Sequence, residues 1–296
     1  MAVLTAQGIS SLAIELLTRS LVLPSTVSRI PGGEFAGANG DTITVRVPQP
    51  GSARTQATAG ATITYDDVTE IPVDVSLSHL YHGKLVSDEE MSLQLEDFGR
   101  QITRIQVDAV ATGAEDELTT VMNALAADSS FALSGSDTDT ENAIIAASET
   151  LDSNNAPAGD RYLAVSPQIK SRILKILDAA DKAGDASALR RAVIGQLYGF
   201  TVVASNALTA GTALAYHRSG FAFANRVPVA PRGANDSATA TAGGVGLRQI
   251  FQYVPDKLSD ASVVSTFAGA AAVYEDGTGT NGSTIKRFYK LDTATA

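Results

Sequence analysis

Apolar residues along this chain follow two periods, and the longest run of the helical one lies between Ser87 and about Ala126. It opens with Ser87-Asp88-Glu89-Glu90. There a serine hydroxyl and the glutamate three residues on satisfy each other's backbone amides, as the start of a helix requires. Met91, Leu95, Phe98, Ile102, Ile105 and Ala109 then recur at spacings of four and three, which is one helix face. The stripe slips by one position and continues through Val110, Ala114, Leu118, Val121 and Leu125. Gln94, Glu96, Arg100, Arg104, Asp108, Glu115 and Glu117 make the wetted opposite face. Gly99 and Gly113 each cost about 1 kcal/mol against Ala in a helix interior. Unbroken, about 40 residues give a rod of roughly 60 Å; a break near Gly113 would give two ordinary helices. A compact chain of this size is only about 50 Å across, from a radius of gyration near 19 Å. The unbroken rod therefore predicts a flat or elongated molecule whose exposed length neighbouring copies would cover.

Upstream, Thr5 to about Ser20 is amphipathic, with Ile9, Leu12, Leu16 and Leu17 on one side, and Pro24 closes it. It is either an arm that docks on a neighbour or a terminal helix packed on its own domain. Ser25 to Ile30 is predicted extended. A glycine-rich lead, Gly32 to Gly40, precedes the alternation Ile43, Val45, Val47, the period of a half-exposed strand. Pro50 to Ala61 is polar and small, and strand chemistry resumes at Thr62-Ile63-Thr64-Tyr65. Val73, Val75 and Leu77 alternate again just before the long helix. Strands flanking a long polar tip predict a projecting hairpin. An isolated hairpin is marginal in water, so it should lie on something else.

Downstream, Asp128 to Asp139 is predicted as a loop and Thr140 to Leu151 as a helix. Arg161 to Val165 is a short buried strand. Ser166-Pro167 then places an N-cap before a proline at the first helical position. That helix carries Ile169, Ile173, Ile176 and Leu177, and another is predicted from Asp185 to Ile194. Phe200 to Ala204 and Ala213 to Tyr216 are strands, so this stretch describes an α/β layer distinct from the long helix. Gly233 to Gly246, rich in Ala, Thr, Ser and Gly, is predicted as a surface loop. Leu247 to Val254, Ser262 to Tyr274 and Arg287 to Leu291 are strand-like. No internal repeat is visible.

Composition narrows the function classes. The chain has 296 residues, 44% hydrophobic but only 6% aromatic, so its core is built of small side chains. A formal net charge of −10 argues against a nucleic-acid-binding surface, whose affinity rests on cation density. With no cysteine there are no disulfides, thiolate metal sites or cysteine nucleophiles. No apolar run reaches membrane length, and the amino end, interrupted by Glu15, does not have the pattern of a secretory signal.

No catalytic constellation emerges. The three histidines are His79, His82 and His217; the first two are three apart in a strand-like segment and should point to opposite faces, unsuited to one metal. There is no Gly-x-Ser-x-Gly elbow and no Gly-Lys-Ser/Thr phosphate loop. Gly277-x-Gly279-x-x-Gly282 matches the dinucleotide string, but a strand is predicted after it, so no helix N-terminus would face a pyrophosphate. Asp137-x-Asp139-x-Glu141 lacks the glycine and further ligands of a calcium loop. The acidic residues along the long helix read as a solvated face. The expectation is a non-enzyme with no catalytic, cofactor-binding or metal residues and no cofactor.

Several segments resemble a known family when taken in order. They are Thr42 to Pro48 after the glycine-rich lead and Val86-Ser87-Asp88-Glu89-Glu90 opening the helix. Pro157-x-Gly159-x-Arg161-Tyr162-Leu163-x-Val165-Ser166-Pro167 and Gly199-Phe200-x-Val202-x-x-Ser205-Asn206 follow. Ala213-Leu214-Ala215-Tyr216-His217-Arg218 and Phe221-Ala222-Phe223-Ala224 complete the set. Together they resemble the major capsid proteins of tailed bacteriophages, with the Hong Kong 97-like capsid fold, and within them the branch typified by the coat protein of Salmonella podoviruses.

The resemblance implies an α+β chain with an N-terminal arm at 1–28, an extended β-hairpin loop at 29–76 and a peripheral domain with a long spine helix at 77–130. It further implies an α/β axial domain at 131–220 and return strands, mainly of the peripheral domain, at 221–296. Copies would form pentamers and hexamers, closing an icosahedral shell around DNA held without sequence-specific contacts. Scaffolding, portal and decoration proteins would be the partners, no membrane would be involved, and assembly in the host bacterial cytoplasm would place the chain in the virion. Two departures stand out. The chain is too short for the extra inserted domain of some of that branch, and no lysine precedes Lys84 to form a crosslink from the loop. An encapsulin-like bacterial nanocompartment shell is an alternative, and a soluble α/β binding protein or enzyme with a sugar-sized cleft is another.

Overall fold

Long β-branched and aromatic runs at the carboxy-terminal end pair with strands from the first third of the chain, so the architecture is set by contacts remote in sequence. The computed structural model describes residues 23–30, 42–48, 53–60, 62–65, 67, 70–90, 102–132, 137–180, 195–231, 236–242, 245–274 and 286–293. Within them the fold is α+β, with two six-stranded sheets and a separate two-stranded hairpin.

The first sheet is built on β13 (Ser259–Ala272), the longest strand. Its partners on one side are β12 (Val245–Val254) and then β10 (Phe221–Arg226), and on the other β4 (Ser78–Ser87), all antiparallel. β1 (Ser28–Arg29) runs parallel to β10, and β11 (Asp236–Ala242) closes the far edge against β12. Helix α1 (Arg104–Ala124) lies across one face. Leu80 of β4 sits 3.6 Å from where a Cβ on Gly113 would stand, so glycine here lets helix and sheet approach closely.

The second sheet has the order β5 (Ser129–Phe131), β14 (Phe288–Thr293), β9 (Thr212–His217), β6 (Arg161–Val165), β8 (Phe200–Ala204) and β7 (Gln196–Leu197). β6 and β8 are parallel. Parallel neighbours need a crossover, and α3 (Pro167–Ala180) lies within it. α3 and α2 (Asp137–Ser153) bury Ile144, Leu151, Ile169 and Ile173 on one face, against Leu163, Val165 and Ala215. The other face, with Ala164, Leu214 and Tyr216, packs on Leu118 and Met122 of α1 and on Phe221 and Phe223 of β10. Buried on both faces, β6 and β9 read as continuous apolar runs without alternation. β10 to β13 thus lie in the sheet beneath α1, whereas β14 lies in the second sheet.

Several expectations change in the folded chain. Ser87 and Glu90 do form the reciprocal cap, Ser87 N donating to Glu90 Oε2 and Glu90 N to Ser87 Oγ, each at 3.2 Å. Residues 91–101, including Met91, Leu95 and Phe98, lie outside the described residues. Ile102 and Thr103 are π-helical, and the buried positions repeat every four residues from Ile102 through Gln106, Val110 and Ala114 to Leu118. Ile105 and Ala109, placed on the apolar stripe, are therefore exposed, while Gln106 and Val107 turn inward. From Val110 through Ala114 to Leu118 the expected stripe is buried.

Pro167 does open α3, but among the described residues the buried Ser166 hydroxyl has no hydrogen-bond partner, and Lys170 N bonds the Ser166 carbonyl. The stretch 233–246 is not simply a surface loop, since it contains β11. Likewise 128–139 contains β5 and the start of α2. The helices expected at Thr5–Ser20 and Asp185–Ile194 and the glycine string at 277–282 lie outside the described residues.

Candidate functional site

The part of this chain that its own core accounts for least is the hairpin of β2 (Thr42–Pro48) and β3 (Glu70–Ser76). Only its root is buried. The cross-strand pair Ile43 and Val75 packs on Ala222 and Ala224 of β10. At Gly269 of β13 an added Cβ would overlap the Ser76 carbonyl, so the chain leaving the hairpin passes directly over the sheet there. Outward, the strands are held by exposed polar pairs. Thr44 donates to Asp74 at 2.6 Å, and Arg46 reaches Glu70 at 3.4 Å. Such exposed pairs contribute little stability, roughly 0–1 kcal/mol. Beyond them Ile63 is 55% and Tyr65 86% exposed, two large apolar side chains carried away from either sheet.

The first sheet's face opposite α1 is a second exposed apolar region. His79 stacks on Phe267 with ring centroids 4.5 Å apart, and Tyr81 beside it is 71% exposed. His82, three residues on, has its carbonyl near Gln106 of α1. The two histidines thus lie on opposite faces, as strand geometry dictates. Among the described residues no group of three or more His, Asp or Glu could hold a metal, and no helix is long and apolar enough to cross a membrane. Asp137, Asp139 and Glu141 fall in the opening turns of α2.

The remaining motif residues are structural joints. Arg161 is buried. Its Nε donates to Pro157 O at 2.8 Å, and its Nη2 to Ala156 O at 2.6 Å and to Asp152 Oδ1 at 2.7 Å, which pins the turn between α2 and β6. Ser205 N bonds Val165 O, and Ser205 Oγ accepts from Ala207 N, closing the end of β8. Tyr216 is wholly buried and its hydroxyl meets Thr26 Oγ1 at 2.5 Å; burial pushes its ionisation well above the ordinary tyrosine range. Sequence reasoning did not single out this tie between residue 26 and β9, because a lone Thr carries no signal.

No protein-family model matches the chain, and no curated protein matches it. Its fold, however, is shared. A chain from the capsid structure of the cyanophage P-SCSP1u superposes with a TM-score of 0.66 at 13% identity, covering 93% of this chain and 88% of that one. This chain has a capsid-protein fold. A chain from Mycobacterium phage Che8 gives a TM-score of 0.62 at 20% identity over 91% and 90% of the two chains. The virus-like particle from Pyrococcus furiosus gives 0.56 at 13% identity over 96% and 97%. The superposition spans nearly all of each chain.

Proposed function

We propose that this chain is the major capsid protein of a tailed bacteriophage, with the Hong Kong 97-like fold. In this reading it self-assembles as hexamers and pentamers into an icosahedral shell around the DNA genome. The observation that carries the proposal is fold similarity along almost the whole of both chains, with a chain from a cyanophage capsid among the matches. A hairpin that presents Ile63 and Tyr65 away from its own core supports it, because such a tip is stable only when another surface covers it.

In this reading 1–28 is the arm and 29–76 the extended loop. The peripheral domain with its spine helix is 77–130, 131–220 is the axial domain, and 221–296 supplies the return strands. The chief partner is a further copy of the chain. Scaffolding, portal and decoration proteins join at assembly in the host cytoplasm, and the product resides in the virion. The role is structural, not enzymatic, and the acidic balance suits a wall that must not trap the DNA it encloses.

A compartment shell of the encapsulin kind is the second reading, favoured by the similarity to the Pyrococcus furiosus virus-like particle. Negative-stain electron microscopy of the purified chain tests both. Closed hollow particles support a shell, and a monodisperse monomer at micromolar concentration overturns it. Particles that hold DNA when recovered from phage-infected cells favour the capsid over the compartment.

A further inference from the structure

Around the turn Leu23–Ser25, whose Leu23 N donates to Glu115 Oε1 at 3.4 Å, two arginines from separate elements reach one short segment. Arg29, at the end of β1, donates its Nε to Pro24 O at 2.9 Å. Arg218 opens the 3-10 turn Arg218–Gly220 after β9 and donates its Nε to Val27 O at 3.4 Å. Pro24 and Val27 are three residues apart, so both side chains are steered onto the same short segment. With each Nε engaged, the Nη groups of both arginines carry no hydrogen bond or ion pair among the described residues. Burial, and after it the charge of Arg218, lowers Arg29 below the ordinary arginine value, and no carboxylate acts the other way. An arginine stays charged throughout the accessible pH range, so the like charges persist.

The neighbouring groups do not relieve them. His217 Nδ1 accepts from Ser219 N at 3.2 Å, and Arg287 Nη1 donates to Ser219 Oγ at 2.8 Å. Burial first, then Arg287 and Arg161, lower the pKa of His217, while Asp160 opposes them. Asp160 is the carboxylate that acts on His217, and Glu115 Oε1 accepts from Leu23 N at the start of the turn. Arg161 is committed to Asp152 and to two carbonyls.

We propose that Arg29 and Arg218 form a binding site for one phosphate oxyanion, supplied either as inorganic phosphate or as a DNA backbone phosphodiester. The donor set selects the ligand. One guanidinium fork already saturates the two oxygens of a carboxylate, whereas two forks from separate elements match the several oxygens of a tetrahedral phosphate. The net charge of −10 is no obstacle, because a single site of this kind reads one phosphate and not a length of duplex. Bound there, the anion would tie residues 23–30 to the turn between β9 and β10. The site stands on this chain's own residues and survives even if the shell reading fails.

The test titrates sodium phosphate into the full-length chain in chloride buffer at constant ionic strength, following amide exchange at residues 23–30 together with Tm. Phosphate also stabilises proteins generally by exclusion from their surfaces, so the local readout and the variants decide. Slowed exchange at 23–30 that saturates with phosphate is expected for the wild type and for K257Q, whose charge lies elsewhere, and its loss is expected for R218Q. R218K keeps the charge without the fork and should need more phosphate for the same protection; it serves equally if R218Q does not fold. An R218Q response equal to wild type, no local protection in either, or equal protection by acetate overturns the proposal. A short DNA duplex that replaces phosphate in protecting the segment assigns the phosphodiester as source. A duplex without effect beside a phosphate response assigns inorganic phosphate.

Discussion

Gln249 of β12 is wholly buried, and among the described residues neither its amide nitrogen nor its amide oxygen has a hydrogen-bond partner. By register it sits opposite Val264, which also pairs with His82, whose Nδ1 is likewise unpartnered. Gln106 of α1, bonded to Ser262 a short distance along β13, shows the satisfied version of the same chemistry. Its Nε2 donates to Ser262 O at 2.7 Å and its Oε1 accepts from Ser262 Oγ at 2.8 Å. An unsatisfied buried amide costs roughly 1–3 kcal/mol. Gln249→Met, which keeps the length and removes the polar atoms, should raise stability by about that amount in a urea melt. A fall in stability would show that the amide has a role in the fold.

Glu115 supplies a pH-dependent term. Burial first, and Asp116 after the opposing bond from Leu23 N, raise its carboxyl above the ordinary glutamate value of 4.5. A raised carboxyl binds its proton more tightly folded than unfolded, so its contribution is fully present below that value and lost as pH rises through the folded one. Glu115→Gln should therefore match wild type at acid pH and melt higher than it near neutrality. The opposite order near pH 7 would mean that the bond to Leu23 outweighs burial.

At the scale of elements, the phase of α1 is the feature most exposed to test. Leu118 is fully buried between the sheets, while Ile105 is 59% exposed despite lying on the arithmetic stripe. Leu118→Ala should cost roughly 2–5 kcal/mol, and Ile105→Ala less than about 0.5 kcal/mol. Equal costs in urea melts of unassembled subunits would mean that the buried face of α1 is not the one that carries Leu118. Local signals written in the chain were legible for a reason. The cap at Ser87–Glu90, the proline opening α3, and the alternations Ile43-Val45-Val47 and Val73-Val75-Leu77 all act within a few residues. Tertiary effects left no such mark. β11 is Asp-Ser-Ala-Thr-Ala-Thr-Ala, weak strand chemistry that becomes a strand by pairing with Leu247 and its neighbours on β12. Ser166 looks like a cap, but among the described residues its hydroxyl has no hydrogen-bond partner. The Lys290 ammonium, buried and donating to Asn123 O and Leu125 O at 2.7 and 2.9 Å, caps α1 from the other end of the chain. Arg29 and Arg218 likewise reach the segment 24–27 from elements remote in sequence.

For the whole molecule the decisive contrast is between folding and assembly. The hairpin root, Ile43 and Val75 against Ala222 and Ala224, belongs to the fold of the subunit; the tip with Ile63 and Tyr65 contributes nothing to either core. Substituting both tip residues by Ser removes apolar area already in contact with water, so the unassembled subunit should melt within about 0.5 kcal/mol of wild type. If a neighbouring copy covers the tip, the same change forfeits burial worth about 25 cal/mol per Å² at every such contact. A shell repeats that contact once per subunit, so a small loss per contact is multiplied around it. The double variant should thus fold normally yet give few closed particles by negative stain, and removing Gly51 to Gly60 should have the same consequence. Normal particle yield from the double variant would assign the tip no part in assembly and leave the apolar face around Tyr81 as the surface to probe next.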